Sequence, residues 1–347
     1  MQPTPPDPQA PLLFIARQAG SAAAFGPLID ALIERGQRPL LVALGAARDA
    51  WSERTALRGT SFSELEERLE REAKPRLVIT GTSAEALDDA KSWAWAKERG
   101  VRSWAFVDSW VNYAARFQSK DAWVRPLPDC IITPDTNASR GLIDAGLPER
   151  SIRALGSPAF DEVLRAKSPR PSQLKGIRLL FASQPLAGRG LPDAWDEHRA
   201  LDMLFETLEG LSLGVPMTLV LRAHPAEAKG VFDRRLKRAP SRSLMLEIDA
   251  GETRTEAIKE AHVVLGVVSM LMVEAQWMGR PALSLQPGFP ADSDLLRLHD
   301  IQVCSDKGAL EDALKEALSM HWKAPPSPSL ALPRWIRALE EEESSRR

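Results

Sequence analysis

Short apolar runs alternate with amphipathic stretches along most of the chain. Leu12 to Ala16, Pro39 to Leu44, Leu77 to Thr80, Ser103 to Val107 and Cys130 to Thr133 have the length and composition of buried strands. Between them lie helical patterns. One passes through Leu28, Leu32 and Ile33 and stops at Gly36; others cover Ser61 to Glu72, Ala84 to Arg99 before Gly100, and Ser139 to Ala145 before Gly146. The rhythm breaks at Lys167 to Lys175, a stretch with prolines at 169 and 171 and no apolar pattern. It then resumes with strands at Ile177 to Ala182, Met217 to Leu221, Leu244 to Ile248, Val263 to Val268 and Pro281 to Leu285. Helices fall on Leu201, Leu204 and Leu208, on Met270 to Met278 and on Leu310 to Leu318.

Buried strands alternating with helices specify parallel βαβ units. The expected fold is therefore α/β, with two Rossmann-like doubly wound domains facing a cleft. The expected divisions are a disordered leader over 1–10, a first domain over 11–166, a linker over 167–175, a second domain over 176–322 and a tail over 323–347. In that tail Trp335, Ile336 and Leu339 mark a short amphipathic helix, and Glu340 to Arg347 reads as a solvated charge run.

Composition narrows the function classes. Hydrophobic residues are 44% and charged residues 27%, the mix of a globular protein. Lys and Arg total 45 against 47 Asp and Glu, so no excess positive field is available to hold nucleic acid. No apolar run is long enough to span a bilayer, and the N-terminus lacks the apolar core of a signal peptide. A cytoplasmic protein without a transmembrane segment is expected, with peripheral membrane contact left open. Cys130 and Cys304 can form neither a disulfide scaffold nor a cysteine zinc site, and no metal spacing is evident.

Ligands of open parallel sheets collect at the carboxyl ends of the strands, so polar residues directly after strands are the candidates. Ser269 follows a strand and caps a nearly all-apolar helix, whose free N–H groups suit a phosphate. Glu274 lies inside that helix. A buried carboxylate is costly without a partner, and a ribose diol or a nearby arginine such as Arg280 would supply one. A second strand end delivers Arg222 and His224 ahead of Pro225, placing imidazole to meet a phosphate or a proton. Ser183 and Gln184 end a third strand and could bind phosphate or base. In the first half, Asp108 after a strand is the candidate general base. Gly20, Trp110, Asn112 and Arg116 are the acceptor-side candidates. Trp93, Trp95, Trp104, Trp110 and Trp123 share one stretch and read mostly as core, with one or two open to stacking on a sugar. Gly-x-Gly-x-x-Gly, Walker and Gly-x-Ser-x-Gly motifs are all absent, which removes support for dehydrogenase, P-loop and α/β-hydrolase readings.

Four short pieces together resemble the GT-B class of nucleotide-sugar glycosyltransferases. More narrowly they are similar to the branch holding non-hydrolysing UDP-N-acetylglucosamine 2-epimerases and capsule or teichoic-acid polymerases. The pieces are Gly156-Ser157-Pro158-Ala159-Phe160-Asp161, Phe181-Ala182-Ser183-Gln184-Pro185, His224-Pro225, and Ser269 through Glu274 followed by Gly279-Arg280-Pro281. The resemblance implies a GT-B fold whose second domain holds the donor nucleotide, with His224 and Ser269 on phosphates and Glu274 on ribose. It implies transfer of a sugar from a nucleotide-sugar donor to a hydroxyl acceptor, in surface polysaccharide or glycoconjugate synthesis. The catalytic pair would be Asp108 and His224, with no metal and no cofactor beyond the nucleotide-sugar substrate. The acidic residues of the epimerases' first domain lack counterparts here, where Phe106-Val107-Asp108-Ser109-Trp110 stands. Epimerisation is therefore the runner-up, followed by an inactive nucleotide-sugar binder.

Overall fold

The computed structural model describes residues 10–72, 74–83, 87–120, 122–188, 190–224, 227–236, 244–251, 253–319 and 321–345. Residues 1–9 of the expected leader, Ala84 to Ala86 of an expected helix, Pro225, and the last two residues of the tail lie outside them. The chain forms two compact units, Met1–Asp161 with Ser329–Arg347, and Glu162–Pro328. Both differ from the expected boundaries. The segment expected as a linker belongs to the second unit, and the C-terminal helix belongs to the first.

The first unit is built on β1 (Leu12–Ala16), β2 (Leu40–Leu44), β3 (Leu57–Gly59), β4 (Leu77–Thr80), β5 (Arg102–Phe106), β8 (Cys130–Thr133) and β9 (Ile152–Ala154), with a small hairpin of β6 (Gln118–Ser119) and β7 (Ala122–Trp123) between. The sheet order is β3-β2-β1-β4-β5-β8-β9, and every pairing in it is parallel. Ile15 pairs with Val42 on one side and Thr80 on the other. β1, β4 and β8 are buried along their whole length, because helices cover both faces of a parallel sheet. The thiol of Cys130 in β8 is pushed up to about 11 by burial, so it packs as a small hydrophobe. Trp93, Trp95, Trp104 and Trp110 are all buried, which assigns them to the core.

The helix Leu332–Ser344 completes this unit. Trp335 is fully buried against Phe25, Trp104 and Phe106, and its Nε1 donates to the Gly156 carbonyl at 2.9 Å. Gly156 has φ +88°, and a Cβ there would come within 2.7 Å of the Ala331 Cβ, so only glycine fits. Asp161 accepts from the amides of Ala331 and Leu332 at 2.7 and 2.9 Å. The ends of the Gly156 to Asp161 motif thus seat the last helix. The expected solvated charge run is corrected here. Glu340, Glu341, Glu342 and Glu343 pair with Arg35, Arg153, Arg102 and Arg76, because those arginines lie along the helix's landing face.

The second unit is built on β10 (Ile177–Ala182), β11 (Met217–Arg222), β12 (Leu244–Ile248), β13 (Val263–Gly266), β14 (Ala282–Leu285) and β15 (Gln302–Cys304), in the order β12-β11-β10-β13-β14-β15, again all parallel. Arg170 donates to the Ser319 and Ala317 carbonyls and Gln173 to that of Leu318, which ties the proline-bearing segment to the end of the helix Lys307–Leu318. Among the described residues no helix is long and apolar enough to cross a membrane.

Candidate functional site

Both sheets start at an inner strand, wind outward, and then resume on that strand's other side. The reversal falls between β1 and β4 in one and between β10 and β13 in the other. In open parallel sheets, ligands bind outside the carboxyl ends of the strands at such a switch point.

In the second unit three adjacent strands bring the candidates to one edge. The Ser183 amide donates to the Arg222 carbonyl at 2.9 Å, extending the β10–β11 pairing. The Gln184 Oε1 accepts from the Val268 amide at 3.2 Å, so this side chain spans the switch point between β10 and the loop after β13. A Cβ on Gly266 would stand 3.1 Å from the Ala182 carbonyl, and the glycine permits this close approach. Ser269 caps the helix Met270–Trp277, its Oγ accepting from the Leu271 amide at 3.2 Å. The first turn of that helix is partly exposed, whereas Met272 through Trp277 are buried.

Glu274 is in this buried part, its side chain 3% exposed. Oε1 pairs with Arg254 at 3.0 Å, and Oε2 is buried with no hydrogen-bond partner. Burial pushes this carboxyl up to about 7, against the pull of Arg254 and Arg222 and with a further push from Glu162. The alternative pairing with Arg280 is corrected. That guanidinium is fully buried and donates to Ser168, Pro169, Lys259 and Met278 carbonyls instead. Arg222 pairs with Asp249, itself nearly buried. Glu227 ties two candidates together, accepting from Ser183 Oγ at 2.7 Å and from the His224 amide at 2.6 Å. The His224 residue is exposed on this edge. Arg254, Asp249 and Glu227 were not among the sequence candidates. The Thr253-x-x-Glu256 capping box could have located the helix Arg254–Glu260 and with it Arg254.

In the first unit Asp108 lies just beyond β5, with Oδ1 accepting from Arg116 at 2.9 Å. A Cβ on Gly20 would fall 2.3 Å from Asp108 Oδ2, so Gly20 is the space this carboxylate occupies. Two acceptor-side expectations are corrected. Arg116 is 8% exposed and spends its donors on Val111, Thr82, Ser109 and Asp108, which makes it a clamp on the Asp108 loop. Trp110 is buried, donating to Asp135 Oδ2 at 2.7 Å and stacked on Phe160, so its ring has no face for a ligand. Asn112 is exposed with φ +59°, and its carbonyl accepts from the Arg116 amide. Substituting Gly20→Ala should displace Asp108 from Arg116 and lower stability by about 1–3 kcal/mol; a urea midpoint equal to wild type would refute the contact. Among the described residues no group of three or more His, Cys, Asp or Glu is placed to hold a metal.

No protein-family model matches the sequence, and no curated protein matches it. Solved structures do share its fold. The UDP-GlcNAc 2-epimerase of Methanocaldococcus jannaschii superposes with a TM-score of 0.70 at 15% identity, covering 95% of this chain and 99% of that one. The Neisseria meningitidis UDP-GlcNAc 2-epimerase, bound to UDP-GlcNAc, gives 0.64 at 12% identity over 95% and 99%. Acinetobacter baumannii MurG gives 0.58 at 11% identity over 96% and 99%. The chain therefore has the two-domain Rossmann-like fold common to UDP-GlcNAc 2-epimerases and GT-B glycosyltransferases.

Proposed function

We propose that the protein is a nucleotide-sugar-dependent glycosyltransferase whose donor nucleotide binds the carboxyl edge of the second unit. The observation that carries this is Glu274 Oε2, an acceptor buried without a donor in the second turn of a helix whose first turn is open. A ribose hydroxyl would satisfy it. The diphosphate would then meet the amide groups behind Ser269 and the imidazole of His224. In transfer, the bond from the anomeric carbon to the phosphate oxygen breaks and a bond to the acceptor oxygen forms. The acceptor's proton passes to a base, for which Asp108 is the candidate. The nucleotide leaves as an anion, and the helix N-terminus and His224 stabilise that charge without a metal.

Epimerisation of a free nucleotide sugar is the second reading. It is favoured by the epimerase structures, one of them bound to UDP-GlcNAc, that share the fold over nearly the whole chain. A melting panel with UDP-, CDP-, GDP-, TDP- and CMP-sugars on wild type, His224→Ala and Glu274→Ala tests the site. One nucleotide should raise the wild-type midpoint, and both variants should lose most of that rise. Equal rises in the variants would move the nucleotide elsewhere. The selected donor incubated with cell extract then separates the reactions. Transfer frees the nucleotide only with extract, epimerisation converts the sugar without it, and an inactive binder does neither.

A further inference from the structure

A cavity of about 560 Å³ opens at the amino end of the first sheet, beside the start of β8. Lys97 reaches it from the helix Leu87–Glu98, Arg125 from the segment after β7, and Arg150 from the turn Glu149–Ser151. Three cations from three separate elements thus share one hollow. Among the described residues none of the three makes an ion pair or a side-chain hydrogen bond. Other arginines at this end of the sheet behave differently: Arg99, Arg102 and Arg153 pair with Glu70, Glu342 and Glu341. One carboxylate lines the cavity, that of Asp129, and its Oδ2 accepts from the Ser103 amide at 2.8 Å. Three cations and one carboxylate leave a formal charge of +2.

We propose that this cavity binds the phosphomonoester group of a small phosphorylated molecule or a lipid headgroup. Such a group carries about −1.5 to −2 charges and accepts several hydrogen bonds, which matches the unpaired donors. The volume lies within the usual range for small-molecule sites, roughly 300–1,000 Å³. Pro126, Pro128 and Pro148 form part of the wall, so little backbone freedom is lost on binding. The site is distinct from the nucleotide edge of the second unit and does not rest on the function proposed above.

The test compares wild type with an R125A/R150A double variant and an R38A/R68A control, which removes two exposed arginines lining a different cavity. Inorganic phosphate is titrated calorimetrically at low salt, and cosedimentation is measured with vesicles of phosphatidic acid in phosphatidylcholine. Wild type and control should bind alike, and R125A/R150A should weaken binding at least tenfold while keeping the ligand-free melting midpoint. Binding of free phosphate identifies a soluble ligand, and binding to vesicles alone identifies a lipid headgroup; either supports the site. No binding by wild type in either arm overturns it, as does equal loss in the control or none in R125A/R150A.

Discussion

Glu274→Gln should make the ligand-free protein more stable and, at the same time, a poorer nucleotide binder. Burial raises this carboxyl to about 7 in the folded state, from 4.5 as the ordinary value. A group raised in this way favours folding while protonated. Its stabilising contribution is complete below about pH 4.5 and is lost as pH climbs through 7. At pH 8 the folded protein therefore carries an unfavourable buried anion, on the order of 1–3 kcal/mol after the pull of Arg254 is counted. Glutamine has the same shape and no charge. Urea unfolding should show the variant ahead by that amount at pH 8 and level with wild type only near pH 4. Asp89, pushed up to about 6 by burial, adds a separate loss between about pH 4 and 6 in both proteins. Nucleotide affinity should move the opposite way. A ribose hydroxyl donates to the ionised oxygen, so wild-type affinity should rise as pH passes through 7, while the variant binds weakly and with little pH dependence. A variant less stable than wild type at pH 8 would mean that the carboxylate is there for the fold and would withdraw the proposed site.

The burial of this carboxylate was legible in the sequence. A single acid inside Met270-Leu271-Met272-Val273-Glu274-Ala275 breaks a pattern that otherwise satisfies itself, and such breaks fall at functional or strained sites. The inner strands were legible for a related reason, since strands covered on both faces must be apolar throughout. The edge strands β3 and β9 and the short β15 were not foreseen. Each is three residues long, and Leu57-Arg58-Gly59 and Ile152-Arg153-Ala154 carry charges that a one-sided edge tolerates. Glu227, Arg254 and Asp249 also escaped. They are ordinary charged residues until the fold sets them against Ser183, Glu274 and Arg222. Trp110 and Arg116 erred the other way. Both follow the end of β5, where a ligand could be, but the segment after that strand folds back and consumes their donors internally.

Removing the last helix should unfold the first unit, and the order of single-residue effects should tell which force holds the helix down. Trp335→Ala should cost the most, about 3–5 kcal/mol, because it empties a fully buried aromatic site and leaves the Gly156 carbonyl unpaired. Glu342→Ala should come next. Its carboxylate is 9% exposed and accepts from Arg102 through both oxygens at 3.0 and 2.8 Å, but the 45% exposed arginine is screened by water, so about 1 kcal/mol is expected. Glu343→Ala leaves the buried Arg76 its bonds to the Ala10 carbonyl and Gln37, which limits the loss. Glu340→Ala and Glu341→Ala break exposed pairs and should change the unfolding midpoint little. The ranking should persist in high salt, since Debye screening weakens the outer pairs and leaves the aromatic seat untouched. If the glutamates outrank Trp335 at low salt and the helix releases as salt is added, charge rather than packing is the clasp. A chain ending at Pro328 would then remain folded, with only the helix's landing face uncovered.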